Sequence, residues 1–172
     1  SASGQRVRVR HIVQRMSDHM ADRAPLKIVT FNINGIKARL PRLLEYLIEE
    51  QPDIACLQEI KTMDEGFPHA EFSAIGYHAI SHGQKSFNGV AILTRGEHAV
   101  ETQRDLPGDD QDEQSRYLEA EAFGLTIGCL YLPNGNPQPG PKFDYKLSWM
   151  RRLRAHGKAL LTREEPTILL GD

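Results

Sequence analysis

Residues 26–58 constrain the fold more than any other stretch of this chain. LKIVTF (26–31) is a short apolar, β-branched run and predicts a buried strand. Leu40, Leu43, Leu44, Leu47 and Ile48 then recur at i, i+3, i+4, i+7 and i+8, the apolar stripe of an amphipathic helix. The stripe stops at Gln51-Pro52, where proline cannot continue a helix. DIACLQ (53–58) is a second strand-like run. Strand, helix and strand within 33 residues form a βαβ unit, with two adjacent parallel strands and a right-handed crossover. The helix stripe and the sheet face must bury each other, so the domain is layered α/β.

Further on, the strands come closer together. Residues 77–81, 89–94, 99–103, 117–122 and 125–132 predict antiparallel or mixed strands with short turns. A short helix is expected over 68–75. A long one is expected over 142–161, carrying Phe143, Leu147, Met150, Leu153 and Leu160 inward, and a last strand over 167–170. Lys146, Arg151, Arg152, Arg154 and Lys158 read as the solvated face of that long helix. Asp105, Asp109, Asp110, Asp112 and Glu113 read as a solvated acidic loop. Cys56 and Cys129 lie inside apolar runs and read as small buried hydrophobes rather than a disulfide or zinc pair.

Composition removes several functions. The net charge of −2 over 172 residues excludes a bulk polycation, so any nucleic-acid contact must be local or metal-assisted. No apolar run nears the ~18 residues of a membrane span, and no long apolar segment marks a secretory signal. A cytoplasmic protein with no membrane partner is therefore expected. Residues 1–24 carry five arginines against two aspartates and read as a basic, disordered extension. The catalytic portion is expected to occupy residues 25–172.

Polar groups converge where strands end. LKIVTF runs into Asn32, DIACLQ into Glu59, and TILLG into Asp172. In α/β sheets, ligand-binding groups gather beyond the carboxyl ends of strands. The βαβ argument makes the first two strands neighbours, which puts Asn32 and Glu59 at one site. An amide oxygen beside carboxylates is a hard-oxygen set suited to Mg²⁺, which keeps several waters and takes up phosphate oxygens. A second cluster, YLPNGNP, sets Tyr131 and Asn134 at a sharp corner, where phenol and amide can donate to a phosphate oxygen.

FNINGIKAR (31–39), PDIACLQEIK (52–61), HGQKSFNGVAILT (82–94), SRYLEAE (115–121), YLPNGN (131–136) and ILLGD (168–172) together resemble the exonuclease III family of DNA-repair nucleases. These six blocks stand in the family's order. The resemblance implies a four-layer α/β sandwich with two mixed β-sheets. It implies Glu59 as principal Mg²⁺ ligand with Asn32 beside it, Mn²⁺ being the alternative metal, and Asn34 and Lys61 in support. It implies Tyr131 against the scissile phosphate or leaving group, Asn134 as a phosphate contact and Asp172 as the proton-transfer residue. Arg116, Lys85 and Lys142 fall at DNA-facing positions. The implied substrate is duplex DNA with abasic sites or 3′ ends, handled by a monomer as 3′–5′ exonuclease and abasic-site endonuclease.

Two departures stand out. Ile60 replaces a threonine common in the family. The G-D motif stops at Asp172, without the asparagine that follows it in the family or the later Ser-Asp-His segment. Two other readings remain open: a non-catalytic nucleic-acid or protein-interaction module built on this fold, and a phosphatase acting on a small phosphate ester. The 172-residue chain by itself is expected to be poorly folded and inactive. A Mg²⁺-dependent assay on abasic-site duplex should return no product, and measurable product would overturn this expectation.

Overall fold

The computed structural model describes residues 24–172, so the reading of residues 1–24 as an extension falls outside the described residues save for Ala24. In chain order the elements are β1 (Ile28–Asn32), α1 (Ile36–Glu50), β2 (Ile54–Gln58), a 3₁₀ turn (Asp64–Gly66), α2 (His69–Ala74), β3 (Tyr77–His82) and β4 (Val90–Arg95). They continue with β5 (Val100–Arg104), β6 (Tyr117–Ala122), β7 (Leu125–Leu130), α3 (Pro141–Leu161) and β8 (Thr167–Gly171). Predicted and observed boundaries agree within a few residues. The 3₁₀ turn has no apolar period and escapes a periodicity search.

The strands form two four-stranded sheets, β1-β2-β4-β3 and β5-β6-β7-β8. β1 and β2 are parallel, with Asn32 opposite Gln58, as the βαβ unit requires. β7 and β8 are also parallel, with Leu130 opposite Gly171. The remaining pairs are antiparallel, so both sheets are mixed.

Three apolar clusters divide the layers. Between the sheets, Ile54, Cys56, Val90 and Ile92 face Leu118, Ala120, Ile127 and Cys129. Both cysteines are buried and free in this layer. Outside the first sheet, Ala55, Leu57, Ala91 and Leu93 pack on Leu43 and Leu47 of α1 and Phe72 of α2. Outside the second, Tyr117 packs with Trp149 of α3 and Leu106. The order helix, sheet, sheet, helix is the expected four-layer sandwich.

The expected inward face of α3 holds at Leu153 and Leu160 and fails at Met150. Trp149, His156 and Leu160 are its buried residues, while Met150 is 45% exposed. The cause lies in a strand. Glu119 of β6 is wholly buried, and Tyr117 donates its hydroxyl to it at 2.6 Å. His156 Nε2 lies 2.7 Å from the same carboxylate oxygen, and Arg163 Nη1 lies 3.6 Å from the other. A buried carboxylate must be paired and hydrogen-bonded, so α3 is turned with His156 inward, which buries Trp149 in place of its neighbour Met150. The acidic loop is also corrected. The Asp112 side chain is only 6% exposed and binds Arg152 Nη1 at 2.7 Å, which takes Arg152 out of the solvated face. An aspartate folded under its own loop finds a cation that sequence distance conceals.

Trp149→Ala should cost about 3–5 kcal/mol, whereas Met150→Ala should stay within about 0.5 kcal/mol. Urea unfolding midpoints of the full-length protein will decide, and the reverse order would overturn this helix phase.

Candidate active site

Every site element sits on one rim of the sandwich, where both parallel pairs end. β1 delivers Asn32 and β2 runs directly into Glu59. The two chains stay joined beyond the sheet, because Ile33 N–H donates to Gln58 O at 2.9 Å and Gly35 N–H to Glu59 O at 2.7 Å. Asn34, Glu59 and Lys61 hold φ values of 46°, 54° and 53°. That region is uncommon for residues with a side chain, and its cost is borne where neighbours over-determine the backbone, most often at functional sites. From the second sheet, Tyr131 follows β7 and its N–H donates to Arg116 O at 2.8 Å. Asp172 follows β8, and Leu132 N–H donates to its carbonyl at 2.9 Å. A Cβ on Gly171 would stand 1.9 Å from Leu130 O, so β7 and β8 reach this rim together only with glycine there.

The side chains close on the Glu59 carboxylate. Tyr131 Oη and Asn32 Nδ2 both donate to Oε1, each at 2.7 Å. Lys61 Nζ lies 3.2 Å from Oε2 and donates to Asn34 Oδ1 at 2.6 Å. Asn32 Nδ2 also donates to Asp172 Oδ2 at 2.8 Å, bridging carboxylates from the two sheets. Asn32 Oδ1 accepts from Asn34 N–H at 2.9 Å, leaving one lone pair for another partner. Burial alone would push the Glu59 carboxyl up, but the donors Tyr131, Asn32 and Lys61 outweigh it and hold the group below its ordinary value. Burial first, then the bond to Glu59, pushes the Tyr131 phenol up to about 12.

Six sequence-predicted residues are thus brought together: Asn32, Asn34, Glu59, Lys61, Tyr131 and Asp172. Arg116 adjoins them, with Cζ 4.7 Å from the Tyr131 ring centroid. Lys85, Asn134 and Lys142 are exposed and, among the described residues, make no hydrogen bond to the six. Asn134 Oδ1 instead accepts from Asn136 Nδ2 at 2.7 Å. Among the described residues no cluster of three or more His, Cys, Asp or Glu could cage an ion. Carboxylates and an amide without thiol or imidazole fit a hard cation that keeps part of its water shell.

The endonuclease/exonuclease/phosphatase family model matches residues 29–172. The chain belongs to this family. Exodeoxyribonuclease III of Haemophilus influenzae is 39% identical over 153 residues, covering 86% of this chain and 57% of that protein. A 3′ phosphatase from Neisseria, solved with a product DNA hairpin, superimposes with a TM-score of 0.81 at 35% identity, over 86% of this chain and 57% of that one. An AP endonuclease from Archaeoglobus fulgidus does so with a TM-score of 0.81 at 36% identity, over the same shares. The chain therefore spans less than three-fifths of these relatives.

In this family member, sequence reading missed the support behind Tyr131, namely Tyr145, Asp112 and Arg152. Tyr145 lies one turn before Trp149, so the correct helix phase would have turned it inward.

The folded Glu59 value lies below the unfolded one. Its stabilisation is present above the ordinary carboxylate range and is lost as pH falls through the folded value. Tyr131→Phe removes one donor and should raise the Glu59 pKa in an NMR titration of the metal-free full-length protein. An unchanged or lower value would sink the assigned bond.

Proposed function

We propose that this chain is the N-terminal portion, residues 25–172, of a metal-dependent DNA phosphodiesterase of the exonuclease III type. Its substrates would be duplex DNA with 3′ ends and abasic sites, and its metal Mg²⁺, with Mn²⁺ as substitute. A cytoplasmic monomer is the matching cellular form. Among the described residues no helix is long and apolar enough to cross a membrane. The observation that carries the reading is the convergence of Tyr131, Asn32 and Lys61 on Glu59, with Asp172 tied in through Asn32. A small-ester phosphatase or an interaction module gives no reason for that junction to coincide with the family's nuclease motifs. The exodeoxyribonuclease of Haemophilus influenzae, the hairpin-bound phosphatase of Neisseria and the AP endonuclease of Archaeoglobus fulgidus support the same substrate class.

Glu59 and Asn32 would hold the metal, with Lys61 and Asn34 fixing the carboxylate's orientation. A bound Mg²⁺ supplies charge neutralisation and polarisation of a phosphoryl oxygen. Asp172 is the proton acceptor for an attacking water, or the proton carrier to the leaving oxygen. Tyr131 stays a neutral donor at physiological pH and can turn its hydroxyl to a phosphate oxygen, where developing charge strengthens the bond. Lys85, Lys142 and Asn134 would bind backbone phosphates, which sets register without reading sequence.

In the full-length protein, Glu59→Ala should lower Mg²⁺-dependent cleavage of abasic-site duplex by about 10³-fold or more, the several kcal/mol of a metal-held phosphoryl oxygen. Retained cleavage would remove Glu59 from the metal site.

A further inference from the structure

Tyr131 is held by more than its own strand. Arg116 Nη1 donates to the Tyr131 carbonyl at 3.2 Å, and Nε donates to Gln114 Oε1 at 2.7 Å. The guanidinium lies against the Tyr131 ring, 4.7 Å from its centroid, and 5.8 Å from that of Tyr145. Both distances lie within the cation–π range. The second ring is itself locked. Tyr145 Oη reaches both Asp112 oxygens, at 2.9 and 3.1 Å. Asp112 pairs at 2.7 Å with Arg152, the two side chains being 6% and 9% exposed. Arg152 also donates from Nε to Pro107 O at 3.2 Å and from Nη2 to Leu106 O. A continuous set of contacts therefore runs from α3 and the acidic loop, through Tyr145, Arg116 and Tyr131, to Glu59.

We infer that Tyr145 and Arg116 are positioning residues for Tyr131, with the arginine clamped between two tyrosine rings so that the phenol stays on Glu59. Arg116 spends Nε and Nη1 on the protein and is flanked by aromatic surface. Arginine suits the clamp because its guanidinium is planar and stacks, where lysine offers a point charge. Asp112 and Arg152 fix the outer ring, which gives the buried ion pair of the acidic loop a task at the site. The inference rests on the proposed role of Tyr131 against the phosphate, and the experiment keeps the two apart.

The test uses full-length protein with ¹³C-labelled tyrosine rings, the Tyr131 signal being assigned by its loss in Tyr131→Phe. Tyr145→Leu should move that signal and lower kcat about tenfold, the loss of a cation–π contact of ordinary strength. KM and the salt dependence of DNA binding should not change. Tyr145→Phe keeps the ring beside Arg116 but frees it from Asp112, and should restore signal and rate in part. Arg116→Gln should move the Tyr131 signal as Tyr145→Leu does, and it reads the clamp from its other side should Tyr145→Leu unfold. An unmoved Tyr131 signal in folded Tyr145→Leu or in Arg116→Gln overturns the clamp. So does failure of Tyr145→Phe to restore it even in part. An Arg116→Gln protein that only binds DNA more weakly, with a salt slope reduced by about one, would make Arg116 a phosphate contact instead. If the unmodified protein cleaves no DNA, the nuclease reading fails, while the Tyr131 signal still decides the clamp.

Discussion

The stacking of two parallel strand pairs across a largely apolar interface is the constraint on which everything else rests. β1/β2 and β7/β8 belong to different sheets, yet both end on the same rim. Small and branched side chains, among them Ala120, Cys56 and Cys129, let the sheets approach closely between them. Remove that packing and Asn32 parts from Asp172, 140 residues away in sequence. The hydrogen bond between them is a consequence of the apolar layer, not a cause of it.

From that constraint follows an asymmetric distribution of polar groups. Most buried strand residues are apolar, but Glu119 of β6 is buried and paired, and so is the side chain of Asp112 in the loop before that strand. Each ties α3 to a different part of the second sheet's outer surface: Glu119 through His156, Asp112 through Arg152 and Tyr145. Buried ion pairs contribute little net stability relative to apolar packing, but they are costly to break. They set one angular position of the helix, and that position aims Tyr145 at Arg116. The strained backbone at Asn34, Glu59 and Lys61 acts in the same direction on the first sheet. On both sides of the rim, stability is given up locally to fix where a few side chains point.

Legibility followed the range of the interactions involved. The apolar stripe of α1 and the strand runs were visible because their spacing is local and periodic, although Ile48, at the end of the stripe, is 57% exposed. Asn32, Glu59 and Asp172 were visible as the polar residues on which three strands end. Tyr131 was visible only as a corner residue, since its partner Glu59 is 72 positions away. Trp149, His156, Asp112 and Tyr145 were misplaced or missed because hydrophobic periodicity cannot show that a buried carboxylate is waiting on a neighbouring strand.

The sequence by itself determined the α/β class, the parallel β1/β2 pair and the residue types at each strand end. Those depend on side-chain period and on the handedness of short connections, which are encoded within a few tens of residues. Only the tertiary structure decided that the carboxylates of Glu59 and Asp172 share one amide donor, that α3 turns His156 inward, and that Arg116 is held between two tyrosines. Those depend on distances of a few ångströms between residues far apart in the chain, which packing sets and local pattern does not.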